Sequence, residues 1–318
     1  MKRFILTVGP ALLHEVPLTE IHNGRNIYRI NGAHGSIVDI ENYVHTIREQ
    51  VPDADILMDL PGNKVRTCNI VDGIILEKGK EFEIPSNNFN YTGFYKHLKP
   101  GMVAWANDST FEFEVIEAAP EKIRFLSKSE GVLINNKGVH VRGIHNDIPF
   151  LFEKDRQLIE LANREKLTFV GLSFVRKAEN VKEAIELLGH EIKVVSKIET
   201  LDAVNNINDI LPLVKYILVD RGGLSTDIGI SKIPRYQKFI VEKAHFEGVK
   251  VFLATQVLKN MEVNPLPTIG EIEALYQIYK SGVYGVQMSE ETAVGKYVAE
   301  CVKVLNSMWE EVEAETVF

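Results

Sequence analysis

Residues 216–227 read YILVDRGGLSTD. An apolar run ends on an aspartate and an arginine, two glycines follow, and helix-like patterning takes over, which is the layout of a buried strand turning into a helix. A Gly-Gly pair at such a corner lets a ligand approach the backbone closely. Seven other apolar runs share the layout: FILTVG (4–9), IYRING (27–32), DILMDLPG (55–62), TFVGLSF (168–174), IKVVSKIE (192–199), VFLATQ (251–256) and YGVQMSEE (284–291). Amphipathic segments lie between them. SIVDIENYVHTIREQV (36–51) places Ile37, Ile40, Val44, Ile47 and Val51 on one helical face. TIGEIEALYQIYKSG (268–282) opens with a capping box, Thr268 with Glu271, and closes on Gly282. Eight alternating strand and helix units predict an α/β fold, a (β/α)8 barrel closed by a parallel sheet.

One region departs from this. From 71 to 141 the pattern is period two (FEFEV, KIRFLS), with turn signals at AND (106–108) and NNKG (135–138). That predicts a small all-β domain over 71–141, inserted after strand three of a barrel formed by 1–70 and 142–318. Without it about 250 residues remain, the usual size of such a barrel.

The chain has 318 residues, 45% hydrophobic and 25% charged, the profile of a soluble globular protein. Its net charge of −8 argues against a general nucleic-acid binder. No apolar run reaches the roughly 20 residues of a membrane span, MKRFILTVGP is read as the first strand rather than a leader, and a cytoplasmic protein is expected. Cys68 and Cys301 are isolated, so neither a disulfide framework nor a zinc site is indicated. There is no Walker loop, no G-x-G-x-x-G, no H-E-x-x-H and no nucleophile elbow.

In a (β/α)8 barrel the reactive residues stand at the C-terminal ends of the strands. Those ends carry Arg29 and Asn31, Asp59, Lys197 and Glu199, Arg221, Thr255, and Ser289 with Glu291. Lys197 and Glu199 are two apart and so point the same way. A lysine and a carboxylate converging there suit an anionic substrate held through a divalent metal. A ring of structural salt bridges would use the same residue types, and Lys197 could alternatively serve as a Schiff-base lysine.

The ordered motifs RINGAHG (29–35), DLPGNKVRT (59–67), FVRKAENV (174–181), VSKIET (195–200), LVDRGGLSTDI (218–228), FLATQVL (252–258), NPLPT (264–268) and MSEETAVG (288–295) resemble those of pyruvate kinases. The resemblance covers the barrel and, more weakly, the inserted domain. It implies phosphoryl transfer between phosphoenolpyruvate, or a related enol phosphate, and ADP. It also implies that Lys197 and Arg29 face the phosphoryl group, Thr255 stands near the enol carbon, and Glu199 holds Mg2+ or Mn2+. The Gly222 and Gly223 amides would hold the substrate carboxylate. Asn31, His34, Arg66 and, from the inserted domain, Lys137 would line the nucleotide. In the family the second metal carboxylate sits where this chain has Gly223, so a weakened metal site is expected, with Asp220, Asp227 or Glu290 as candidate substitutes. K+-dependent members use a serine where Ala33 stands and a glutamate where Lys64 stands. Lys64, beside Asp59, would supply the missing positive charge, so no K+ requirement is expected. The further C-terminal domain of the family is not matched before Phe318, which gives the expectation of a homodimer without sugar-phosphate control. Two alternatives stay open: a lyase or aldolase using pyruvate or phosphoenolpyruvate as carbon donor, and a catalytically silent homologue.

Overall fold

The computed structural model describes residues 2–14, 16–107, 110–141, 144 and 147–315. Readings that touch Asp108, Arg142 and Phe318 fall outside them. The chain forms two compact units, residues 1–61 with 154–318, and residues 62–153.

The first unit is the barrel. Its strands are β1 (Arg3–Thr7), β2 (Asn26–Asn31), β3 (Asp55–Asp59), β4 (Phe169–Leu172), β5 (Lys193–Ile198), β6 (Tyr216–Asp220), β7 (Lys250–Ala254) and β8 (Gly285–Met288). All pair in parallel, each with its sequence neighbours, and β1 closes on β8. All eight apolar runs are therefore barrel strands. The helix Ile37–Gln50 buries Ile40, Val44 and Ile47 as its periodicity requires. The helix Ile269–Lys280 carries the Thr268–Glu271 capping box, and Gly282 follows its end at φ +82°, a value that a side chain would oppose.

A core layer of Ile5, Ile27, Leu57, Phe169, Val195, Tyr216, Leu218, Phe252 and Ala254 fills the barrel. Tyr216 anchors it, edge-on to Phe169 at 5.3 Å and stacked with Phe252 at 6.3 Å. Side chains alternate along a strand. The residues two steps beyond this layer therefore point into the barrel at its C-terminal mouth: Thr7, Arg29, Asp59, Lys197 and Asp220. Strand parity alone gathers the polar cluster.

The second unit is all-β, with a five-stranded antiparallel sheet ordered Val139–Val141, Val103–Ala106, Phe111–Ala118, Lys122–Ser127, Glu81–Pro85. A pair of short strands, Ile74–Leu76 and Gly131–Leu133, accompanies it. Phe111, Phe113 and Val115 are buried while Glu112 is exposed, the period-two pattern of FEFEV. This unit is wider than the expected 71–141. On one side Thr67 bonds back to Ile134 and Lys137, and Val65 enters the core. On the other, Ile144, Ile148 and Phe152 pack into the same core. These flanks contain no alternating run, so their sequence did not mark them as part of it.

Candidate active site

Lys197 is 7% exposed, and its ammonium stands among three carboxylates. Its Nζ lies 3.5 Å from Asp59 Oδ2, 3.6 Å from Glu199 Oε2 and 3.6 Å from Asp220 Oδ2, and it donates to Ser173 Oγ at 2.9 Å. Burial works against the charged form, but Asp59, Glu199 and Asp220 outweigh it and hold the Lys197 pKa above its ordinary value. Lys197 is a fixed cation.

Arg29 is tied to Asp59 through Nε at 2.8 Å and Nη2 at 2.6 Å, and its Nη1 donates to Thr7 Oγ1 at 2.8 Å. Thr7 in turn donates to the Met288 carbonyl at 2.7 Å. The guanidinium keeps further N–H groups on both terminal nitrogens for a ligand. Gly171, on β4, makes room for Asp59: a Cβ there would stand 3.0 Å from Oδ1.

Glu199 is held by its Oε1, which accepts from the Phe174 amide at 2.7 Å. Phe174 adopts φ +57° to present that amide, a conformation bulky residues seldom take. Burial pushes the Glu199 carboxyl up to about 7, against the pull of Lys197. Burial alone would raise Asp220 too, but Lys197, the Thr255 hydroxyl and the Gly223 amide reverse this and leave it below the usual carboxylate range.

Asp220 caps the helix Arg221–Ile228. Its Oδ1 accepts from the amides of Gly222 (3.2 Å) and Gly223 (3.4 Å) and from Thr255 Oγ1 (2.7 Å). The two amides expected to hold a substrate carboxylate are thus facing one that belongs to the chain. Thr255 sits at φ +75° and Gln256 at φ +53°. A β-branched residue there stores strain of about 1–3 kcal/mol. Arg221 ties down this corner, donating to the carbonyls of Ala254 (2.9 Å) and Thr255.

The structure therefore brings together Lys197, Arg29, Asp59, Glu199, Gly222, Gly223 and Thr255. Asn31 turns back to accept from the Ala33 amide at 3.1 Å, and His34 is exposed. Lys64, Arg66 and Lys137 belong to the second unit, where the backbone of Arg66 bridges Gly138 and the Lys137 amide donates to Thr67 Oγ1 at 3.0 Å. Ser289 and Glu291 pair locally, the Ser289 amide donating to Glu291 Oε2 at 2.7 Å.

Sequence reading passed over Thr7 and Ser173. Both stand at the ends of strands one and four, in FILTVG and TFVGLSF, where short hydroxyls inside an apolar run draw little notice. Counting by twos from the core residues Ile5 and Phe169 would have found them.

A parallel eight-stranded barrel with its polar cluster at the strand C-termini defines a (β/α)8 protein with its site at that mouth. A family model, the pyruvate kinase barrel domain, matches residues 1–302. Pyruvate kinase of Borreliella burgdorferi is 30% identical, aligned over 98% of this chain and 68% of its own length. That of Thermotoga maritima is 31% identical over 99% and 72%, and that of Staphylococcus aureus 31% over 98% and 57%. This chain belongs to the pyruvate kinase family.

Proposed function

We propose that the protein transfers a phosphoryl group between phosphoenolpyruvate, or a related enol phosphate, and ADP. The observation that carries this is the caged charge of Lys197. Phosphoryl transfer passes through a loose transition state in which catalysis is positioning and charge stabilisation. A lysine held protonated by Asp59, Glu199 and Asp220 supplies that charge without reorganising. The same cage disfavours the aldolase alternative, because a Schiff base needs a neutral amine and a lowered lysine pKa.

Arg29, oriented by Asp59 and Thr7, would grip phosphoryl oxygens with its remaining N–H groups. Thr255 would assist proton transfer at the enol carbon, and in the barrel unit Asn31 and His34 would meet the nucleotide. The donor chemistry fits a divalent cation. Glu199 has one oxygen fixed on the Phe174 amide and leaves Oε2 as a hard ligand of the kind Mg2+ takes. When bound, Mg2+ or Mn2+ would neutralise charge on the phosphoryl oxygens.

The test is pyruvate release from phosphoenolpyruvate and ADP across a Mg2+ and Mn2+ titration. Turnover that depends on the divalent ion supports the proposal, and none at any concentration refutes it. The same assay in K+-free buffer of a large organic cation should run at an unchanged rate. What supports this is the resemblance, in which Ala33 and Lys64 stand where K+-dependent members carry a serine and a glutamate. A severalfold rise on adding KCl would overturn that expectation.

A further inference from the structure

We infer that Asp220 is the second carboxylate ligand of the divalent cation, paired with Glu199, and that it takes over the role position 223 has lost. The inference rests on the phosphotransferase reading only for there being a metal at all.

Three acids compete for the role, and the structure separates them. Asp227 accepts from the Leu201 amide at 3.0 Å, so it caps a neighbouring helix. Glu290 turns outward to Lys259 at 3.9 Å, and its side chain is 60% exposed. Asp220 alone of the three faces the ammonium that Glu199 faces.

Asp220 and Glu199 are also built alike. Each has one oxygen anchored: Asp220 Oδ1 on Thr255 and the Gly222 and Gly223 amides, Glu199 Oε1 on the Phe174 amide. The other oxygen of each, Oδ2 and Oε2, lies 3.6 Å from Lys197 Nζ. Two half-anchored carboxylates whose second oxygens face one ammonium offer hard donors to a cation, and Mg2+ commonly takes only one or two carboxylates from protein. Asp59 adds no third arm, because its Oδ2 is spent on Arg29. Position 223 cannot contribute from a glycine, and a Cβ there would stand 3.0 Å from both Cβ and Oε2 of Glu199.

The anchoring has a further consequence. The Thr255 hydroxyl and the two amides form a cradle that holds a carboxylate, and Asp220 fills it from within. Removing the side chain should leave the cradle open to a small carboxylate from solution, which could then restore the missing ligand.

Mn2+ binding to the purified full chain, followed by the loss of the free-ion EPR signal, reads this without any turnover. The wild type should bind. Asp220→Ala should bind at least 10-fold more weakly and recover most of the loss in added formate. Glu199→Gln should also weaken binding, and formate should not restore it, because its place is not a carboxylate cradle. Asp220→Asn keeps the shape and an acceptor for Thr255, so its loss of Mn2+ would report the missing charge rather than a misfolded corner. Wild-type affinity in both Asp220 variants, or no Mn2+ binding by the wild type, would overturn the assignment. Weakened binding in Asp220→Ala that formate leaves unchanged would overturn the cradle. Intact Mn2+ binding without phosphoryl transfer would refute the proposed reaction and leave the ligand assignment standing.

Discussion

Lys197→Met is expected to lower phosphoryl transfer by about 1,000-fold and to cost about 3–5 kcal/mol of stability at pH 8. On the proposed reaction, the rate falls because the fixed charge that would meet the phosphoryl group is gone. The stability falls for a separate reason: the buried Asp59 and Glu199 and the partly buried Asp220 lose the cation they surround. The pH dependence separates the two effects. The Glu199 carboxyl, pushed up to about 7 by burial, is above its unfolded value even with Lys197 pulling it down. An acid with a raised folded-state pKa takes stability away as pH rises from its unfolded value through its folded one. Without Lys197 that window extends further upward. The variant's deficit should therefore shrink toward pH 5 and grow toward pH 8, while the rate defect persists throughout. Thermal melts and turnover at both pH values check this. A deficit independent of pH would mean that lost packing, not uncompensated charge, destabilises the variant.

Asp59→Asn should have the second largest effect, about 3–5 kcal/mol, this time because a buried cation loses its partner. Asp59 receives Arg29 through two nitrogens, accepts from Ser173 Oγ at 3.3 Å and faces Lys197. Neutralising it takes from the buried Arg29 guanidinium the carboxylate that aims it, while Lys197 keeps Glu199 and Asp220. The KM for the phosphate-bearing substrate should rise and kcat should fall. Combined with Lys197→Met, the substitution removes one charge of each sign, so the double variant should be more stable than the sum of the two losses by about 1 kcal/mol or more. Denaturant titrations of the four proteins measure that coupling. Additive losses would show that the two side chains do not share one electrostatic network.

The barrel was legible because its signal is repeated: eight apolar runs, each ending in polar residues, with amphipathic segments between them. Lys197 and Glu199 were legible because their spacing of two fixes a common direction on a strand. The edges of the β unit were not, since Val65, Ile144, Ile148 and Phe152 are isolated apolar residues whose partners are distant in sequence. Nor was the capture of the Gly222 and Gly223 amides by Asp220. An aspartate before a helix reads as an ordinary cap. Only the close approach of Thr255 and Lys197, from two other strands, shows that its carboxylate belongs to the site.

The most direct measurement is 31P NMR of the protein with phosphoenolpyruvate, ADP and Mg2+. The expected result is growth of the ATP γ-phosphate resonance as the enol phosphate resonance declines, with neither change in Lys197→Met. An enol phosphate resonance that persists at saturating Mg2+, or the same transfer in wild type and Lys197→Met, would contradict the proposed role of the caged lysine.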